Sequence, residues 1–344
     1  MAIPLPKVPK VNDVFKKNLF SVGLDIGSTS VKICRIEFSK DKTSLIEYKI
    51  IPVQINPAEV LKQASQEVEL RIANASISGP STIIRYVDFP KMSLDDLRKA
   101  LKFEAQKFIP FSVADVNLDA SILKQDTGSG KMLIAVVAVK KDFLNQKMKI
   151  LNESEFKAHI IDVDSLALIN AFNFNYPKND PGRPKSLALL NIGASLSNLN
   201  ILEEEIPLLS RDISIAGNNV TQKIMEAFGI DAKAAEALKI NPDKDRMQKI
   251  ITSTESIISS LATEIRVSFD YYESQSASSV EKIYLSGGGS LLLGLKDSLS
   301  NLLDIPVEFW DPLKRINLSP DIEIQKVKSL ASELGVAVGL ALRV

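Results

Sequence analysis

The chain predicts an α/β protein of two lobes, and three observations carry that prediction. A strand–turn–strand unit, "DIGSTSVKICRI" at 25–36, returns in altered form as "NIGASLSNLNIL" at 191–202. Between the copies lies "NYPKNDPGRPK", where Pro177, Pro181 and Pro184 interrupt regular structure and mark a boundary. The length of 344 residues also exceeds the size at which one hydrophobic core keeps growing.

Composition removes several classes of function. Lys+Arg and Asp+Glu are equal at 42 each, so no basic footprint for nucleic acid and no acidic tail is present. One cysteine, Cys34, and one histidine, His159, exclude a disulfide framework and Cys- or His-rich metal sites. No run of about 18 apolar residues occurs, so no spanning helix is expected. The leader "MAIPLPKVPKVNDVFKKNLF" lacks the continuous apolar stretch of a signal peptide. Residues 1–20 are expected to form a flexible arm, or a short basic one that lies on a partner or a membrane face. A cytosolic location is expected.

The elements follow in order. "SVGLDIGSTSVKICRIE" reads strand, tight turn, strand, with Val22 and Leu24 before the turn and Val31, Ile33 and Ile36 after it. "SLIEYKIIPVQI" is a third strand, 57–70 has helical periodicity, and "NASISG" and "STIIRYVDFP" are strands. Ser93 caps a helix with Asp95 and Asp96 in its first turn and Leu94, Leu97, Leu101, Phe103 and Phe108 along it; Pro110 stops it. A hairpin of "VNLDASIL" and "KMLIAVVAV" and a helix over 141–153 complete a small α+β module at 79–157. "HIIDVDSLALINAF" is strand then helix. After the proline-rich loop come strands "SLALLNI", "NLNILEE" and "PLLSRDISI". A helical block over 218–272, broken at Asn241-Pro242, follows, then strand "KIYLSGGG", helix "SLLLGLKDSLSNLL", strand "PVEF" and a last helix "ASELGVAVGLAL".

Two stretches here bear on chemistry, and one only looks as if it does. "TGSGKM" resembles the end of a P-loop, but Gln125 stands where the first glycine is needed, Met132 replaces the hydroxyl, and a strand follows; it is a hairpin turn. In "DIGSTSVK" a strand delivers Asp25 into Gly27-Ser28-Thr29-Ser30, whose N–H groups and hydroxyls make a concavity suited to an anion. Gly27 allows close approach of the backbone, and Asp25 can hold a magnesium-bound water. In "IYLSGGGSLLLGL", Gly287, Gly288 and Gly289 permit approach of a planar ligand, and Ser290 is expected to open a helix favouring negative charge.

The order of these pieces resembles the actin/Hsp70/sugar-kinase ATPase superfamily. "DIGSTSVK" is similar to its phosphate-1 motif, "NIGASLSNLNI" to phosphate-2 and "SGGGSLLLGL" to the adenosine motif, with "DVDSLALINAF" and "ELGVAVGLALR" similar to the connecting helices. Within it, "FEAQKFIPFSVADVNLDASIL", "LSRDISIAGNNVTQKI", "AAEALK" and "EIRVSFDYY" resemble the PilM family of type IV pilus assembly proteins, over about residues 20–344. The cell-division relative FtsA shares the architecture without the IPF–NLD wording.

The resemblance implies a bilobal actin-like (ribonuclease H-like) fold. Subdomain 1A would be 21–78 with 158–183, a PilM/FtsA-type subdomain 1C 79–157, subdomain 2A 184–217 with 276–344, and 2B 218–275. It implies ATP with Mg2+ in a cleft. Asp25 would sit near the metal, and Gly27, Ser28, Thr29, Ser30 and Lys32 near the phosphates. Gly193, Ala194, Ser195 and Gly217 would approach from the other lobe. Glu236 and Lys239 would border ribose and adenine, and Gly287 to Ser290 the base and α-phosphate. Asp164 takes the place of the residue that orients the attacking water; its plainer reading is a helix-opening acid. Relatives usually carry Asp where this chain has Asn191, which would hold the metal through water; an amide there implies slow hydrolysis or none. The implied partner is the N-terminal cytoplasmic segment of a PilN-like inner-membrane protein, in a groove at Phe89, Phe108, Pro110 and Phe111, residues that serve equally as the core of a small module. Pilus motor components are further implied partners. An FtsA-like filament former and a small-molecule kinase on the same fold are the rival readings.

Overall fold

The computed structural model describes residues 19–344 apart from 41, 54, 55, 69, 70, 129 and 277; the expected N-terminal arm thus lies outside the described residues up to residue 18. Two compact units emerge, one made of residues 19–177 with Pro312–Val344 and the other of Lys178–Asp311.

The first unit opens with β1 (Leu19–Ile26), β2 (Ser30–Phe38) and β3 (Thr43–Pro52), an antiparallel meander. In β2 Val31, Ile33, Ile36 and Phe38 are buried, the alternation that the sequence displays. Helix α1 (Pro57–Glu67) begins where the Asn56 side chain accepts from the Ala58 N–H, and leads to β4 (Ile72–Ile77), parallel to β1. A separate three-stranded sheet follows, ordered β5 (Thr82–Pro90), β7 (Lys131–Lys140), β6 (Val116–Gly128), with α2 (Leu94–Glu104) between β5 and β6 in the chain. Helix α3 (Lys141–Glu153), β8 (Lys157–Val163) and α4 (Asp164–Asn175) return to the first sheet, where β8 pairs in parallel with β4.

The second unit repeats that plan. Strands β9 (Ser186–Ile192), β10 (Ser197–Glu203) and β11 (Ile206–Ile213) form the meander. Helices α5 (Gly217–Phe228), α6 (Ala232–Ile240) and α7 (Met247–Gln275) precede β12 (Lys282–Ser286), which runs parallel to β9; α8 (Leu295–Leu303) and β13 (Val307–Phe309) close it. The order β11-β10-β9-β12-β13 matches β3-β2-β1-β4-β8 of the first sheet, which adds a short β14 (Asn317–Leu318) at its edge. One core of the second unit gathers Leu190, Leu199, Ile224, Ile258, Ile265 and Leu285.

Several expectations are corrected. Residues 312–344 do not belong with the second unit: α9 (Ile324–Leu330) and α10 (Gly335–Ala341) return to the first. Helix α10 is apolar all round and packs between β1 and α4. Contact there is backbone to backbone, since a Cβ on Gly339 would lie 1.8 Å from the Ala167 carbonyl oxygen and one on Gly23 2.0 Å from that of Ala337. Residues 141–157 do not complete the small module, because Leu151 and Phe156 are buried with Leu24, Ile33 and Leu61 under the first sheet. Phe103 is 83% exposed; the buried face of α2 is Leu97 and Leu101, continued by Ala105, and Phe103 lies off that line. The block over 218–272 breaks a second time, at Gly229 with φ 64°, a left-handed cap.

The carboxyl end of α10 is tied down by polar groups. Arg343 Nε donates to Asp162 on β8 at 2.6 Å, and Nη2 stands 2.5 Å from the same carboxylate oxygen, the two side chains being 3% and 0% exposed. The Arg343 carbonyl accepts from Asn74 at 2.7 Å and Ser21 at 3.3 Å. Removing one partner of a buried ion pair leaves the other charge desolvated. Arg343→Met should therefore cost about 3–5 kcal/mol in urea melts, and adding Asp162→Leu should recover most of it. Similar losses in the single and double variants would contradict this account.

Candidate functional site

Each meander turns through four residues closed in the same way. At the first turn the Gly27 N–H donates to the Ser30 carbonyl at 3.1 Å; at the second the Gly193 N–H donates to that of Leu196 at 2.9 Å. Register agrees, with Ile26 opposite Val31 and Ile192 opposite Ser197. A Cβ on Gly27 would meet the Ser30 oxygen at 2.8 Å, and one on Gly193 the Leu196 oxygen also at 2.8 Å. A side chain cannot be added at either position without opening the turn. Ser28, Thr29 and Ser195 stand exposed at the tips.

Around the first turn charge is concentrated. Asp25 and Lys32 face each other across β1 and β2 and form an ion pair at 3.2 Å. Burial works against the Lys32 charge, but Asp25, then Glu333 and Asp164, more than offset it, and the ammonium holds its proton beyond the ordinary lysine range. Lys147 of α3 donates to the Ile26 carbonyl at 3.2 Å. Asp164, at the head of α4, has a pKa raised to about 6, through desolvation first and the nearby Asp25 charge second. Hydroxyls of Ser76 and Ser78 and the Lys147 charge pull the other way. Desolvation also raises the Glu333 carboxyl, with Lys32 opposing. The sequence reading anticipated Asp25, Lys32 and Asp164 here; Lys147 and Glu333 carried no local signal.

The second turn is neutral. Asn191 and Asn198 occupy the positions of Asp25 and Lys32 in the matching register. Asn191 Nδ2 donates to Asn198 Oδ1 at 3.2 Å, and Asn198 Nδ2 donates to Asp212 Oδ1 at 2.7 Å. Laying "NIGASLSN" over "DIGSTSVK" would have found Asn198; nothing local marks Asp212.

The remaining expected residues of the second unit gather at this turn. The N–H groups of Gly217 and Asn218, opening α5, donate to the Gly193 and Ala194 carbonyls at 3.0 and 2.8 Å. Lys239 donates to Thr221 Oγ1 at 2.9 Å and to the Gly217 carbonyl at 3.3 Å, and pairs with Glu236 at 2.7 Å. Gly287, with φ 87°, lies where a Cβ would be 2.3 Å from the Ile192 oxygen; one on Gly289 would be 2.9 Å from that of Gly193. Ser290 is a correction. It sits in a single 3-10 turn, Gly288–Leu291, and Gly294 at φ 78° separates that turn from α8, so it opens no α-helix. Its hydroxyl donates to the Gly287 carbonyl at 2.6 Å and is spent within the turn.

In the small module, Phe89 is 5% exposed and packs with Leu97, Leu101 and Met132 as core, so it offers no docking surface. Phe108 is half-buried at 6.4 Å from the Phe89 ring, Pro110 is exposed, and Lys140 Nζ stands 4.9 Å over the Phe111 ring. Past Phe111, a groove of about 480 Å³ runs between α2 and β6, lined by Arg98, Lys102, Val113, Val116 and Asp119 among others. Of "TGSGKM", Gly128 pairs with Lys131 at the end of the β6–β7 hairpin, as expected.

Two meander units with matching topology, each with a glycine-closed turn between its first two strands, define the class: the chain has the actin-like ATPase fold, with a PilM/FtsA-type module in its first unit. It belongs to the family described as Type IV pilus assembly protein PilM, which matches residues 23–344. The chain is similar to a solved structure described as "PilM-PilN type IV pilus biogenesis complex", at 25% identity and TM-score 0.82, covering 94% of this chain and 98% of that one. Ethanolamine utilization protein EutJ from Carboxydothermus hydrogenoformans shares the fold at 12% identity and TM-score 0.52, covering 99% and 94%. Among the described residues no helix is long and apolar enough to cross a membrane.

The donor chemistry at the first turn fits a magnesium ion held together with phosphates. Among the described residues no group of three or more His, Cys, Asp and Glu side chains could hold a metal alone. Mg2+, however, is usually taken by one or two carboxylates with phosphates and waters, and Asp25 supplies such a carboxylate beside a backbone cradle.

The raised Asp164 carboxyl makes a prediction about stability. It keeps its proton to about pH 6 when folded and to about 4 when unfolded. The native state therefore binds the extra proton between those values, and stability falls as pH rises through them. Asp164→Asn should be more stable than wild type at pH 7.5 by roughly 1–3 kcal/mol, with the advantage fading by about pH 4. An offset that stays constant with pH in urea melts would refute the assignment.

Proposed function

We propose that this protein is an ATP-binding scaffold of the type IV pilus assembly platform, working in the cytoplasm at the inner membrane. The observation that carries the reading is the pair of glycine-closed turns, one bearing Asp25 and Lys32, in a chain of the PilM family. The N–H groups and hydroxyls of Ser28, Thr29 and Ser30 would hold phosphate oxygens, with Lys32 turning from Asp25 to join them. Gly193, Ala194 and Ser195 offer a second cradle, and Gly217, Glu236, Lys239 and the Gly287–Gly289 turn would border the nucleoside. Mg2+, when bound, would offset phosphate charge, with Asp25 and Asn191 holding its waters.

Hydrolysis is slow or absent in this reading. Asn191 is neutral where a second carboxylate would help the metal, and outer-shell partners of metals are worth about 10–100-fold in affinity or activity. Asp164 would orient a water in the first unit.

The protein partner is the N-terminal cytoplasmic segment of a PilN-like membrane protein. The similarity to a PilM–PilN complex supports it, as do the exposed Pro110, the half-buried Phe108 and Phe111, and the groove beside them. Motor components of the pilus would be bound elsewhere on the surface. A filament-forming role of the FtsA kind is the second reading, favoured by the shared fold alone.

Titration of full-length protein with a PilN-like N-terminal peptide, with and without ATP·Mg2+, tests the scaffold role, and absence of binding in both conditions removes it. Lys32→Met should weaken binding of a fluorescent ATP analogue by about tenfold or more, consistent with loss of a charge-assisted contact. Phosphate release should stay far below about one turnover per second, the low end for typical enzymes; brisk release would overturn the account of Asn191.

A further inference from the structure

The neutral second turn contains a chain of hydrogen bonds with a direction. Asn191, Asn198 and Asp212 stand in register across β9, β10 and β11. Asn198 Nδ2 donates to Asp212, Asn191 Nδ2 donates to Asn198 Oδ1, and Ser286 Oγ donates to Asn191 Oδ1 at 3.2 Å. A side-chain amide has nearly the same shape when turned end over end, so its direction must be set by a neighbour of fixed polarity. Ser286 cannot set it, because a hydroxyl both donates and accepts. Asp212 can, because a carboxylate only accepts. It takes the Asn198 NH2 group, which turns Asn198 Oδ1 to Asn191 and takes the Asn191 NH2 group in turn. Asn191 is left with its oxygen against the Gly287 turn, where a Cβ on Gly287 would lie 2.9 Å from it.

We propose that Asp212 is a positioning residue: acting through Asn198, it holds Asn191 with its carbonyl oxygen, not its NH2 group, toward the Gly287 turn. Asn191 thereby offers a neutral acceptor, suited to the donor waters of a magnesium nucleotide. This rests on the nucleotide-binding reading. The carboxylate of this network stands on β11, two strands from Asn191, where it orients the amides.

Exchanging the two ends of the chain tests the proposal. Asn191→Asp alone sets a carboxylate against an Asn198 oxygen that Asp212 holds in place, and should lower the unfolding midpoint. Asp212→Asn alone leaves both ends able to donate or accept, and the side-chain NH2 signals of Asn191 and Asn198 in 15N spectra should broaden or double. Combining the two substitutions puts the carboxylate on β9 and the amide on β11, so Asn198 can turn over, donate to the first and accept from the second. The double variant should therefore be more stable than additivity allows, by about tenfold or more in the unfolding constant. With ATP analogue, Asp212→Asn should lose about tenfold of the Mg2+-dependent part of affinity while binding in EDTA stays unchanged. An additive cycle with sharp amide signals overturns the lock. A coupled cycle with unaltered Mg2+ dependence overturns the positioning role. Wild-type protein that binds no nucleotide overturns the reading beneath it, and is told apart because the stability cycle is measured without ligand.

Discussion

A glycine N–H bonded to the carbonyl three residues on is the constraint from which both halves of this protein are built. It turns β1 into β2 and β9 into β10 within four residues, and no side chain fits at the glycine without opening the turn. The turn fixes register, and register fixes which residues meet across the strands. Asp25 therefore faces Lys32, and Asn191 faces Asn198. The further strands and helices bring other groups to these two points.

What gathers at each point differs in electrical character. Around the first turn the charges of Asp25, Asp164 and Glu333 act on Lys32, so a partly buried group of opposite charges forms. Around the second, two amides relay the influence of one carboxylate. A duplicated backbone has thus been given two chemistries. The first can meet a phosphate or a cation with full charges. The second presents backbone groups, amides and the Glu236–Lys239 pair.

The returning C-terminal segment shows how far apart in sequence the determinants of one site lie. Glu333, which acts on Lys32, is there only because α10 docks between β1 and α4 with its backbone in contact at Gly23 and Gly339. Asp162 and Arg343 clamp the end of that helix in the interior. The first site is therefore coupled to the packing of the last helix.

The strands, the twin turns and most helices were legible in the sequence, because each depends on residues close together: alternation in β2, the Asn56 and Ser93 caps, and the glycines of both turns. The reading failed where neighbours distant in the chain decide. Phe103 looked like part of an apolar face, and α2 instead buries Leu97 and Leu101. Ser290 looked like a helix start, and Gly294 broke the helix. Residues 312–344 were assigned to the second half, but α10 is apolar all round and packs chiefly against α4 and β1. By itself the sequence determined the duplicated turn and the amide of Asn191 where the first copy has Asp25, since both are local and covalent. Only tertiary structure decided that Asp212, Glu333 and Lys147 act on those turns, because hydrogen bonds and charges work through space and chain packing alone brings them within reach.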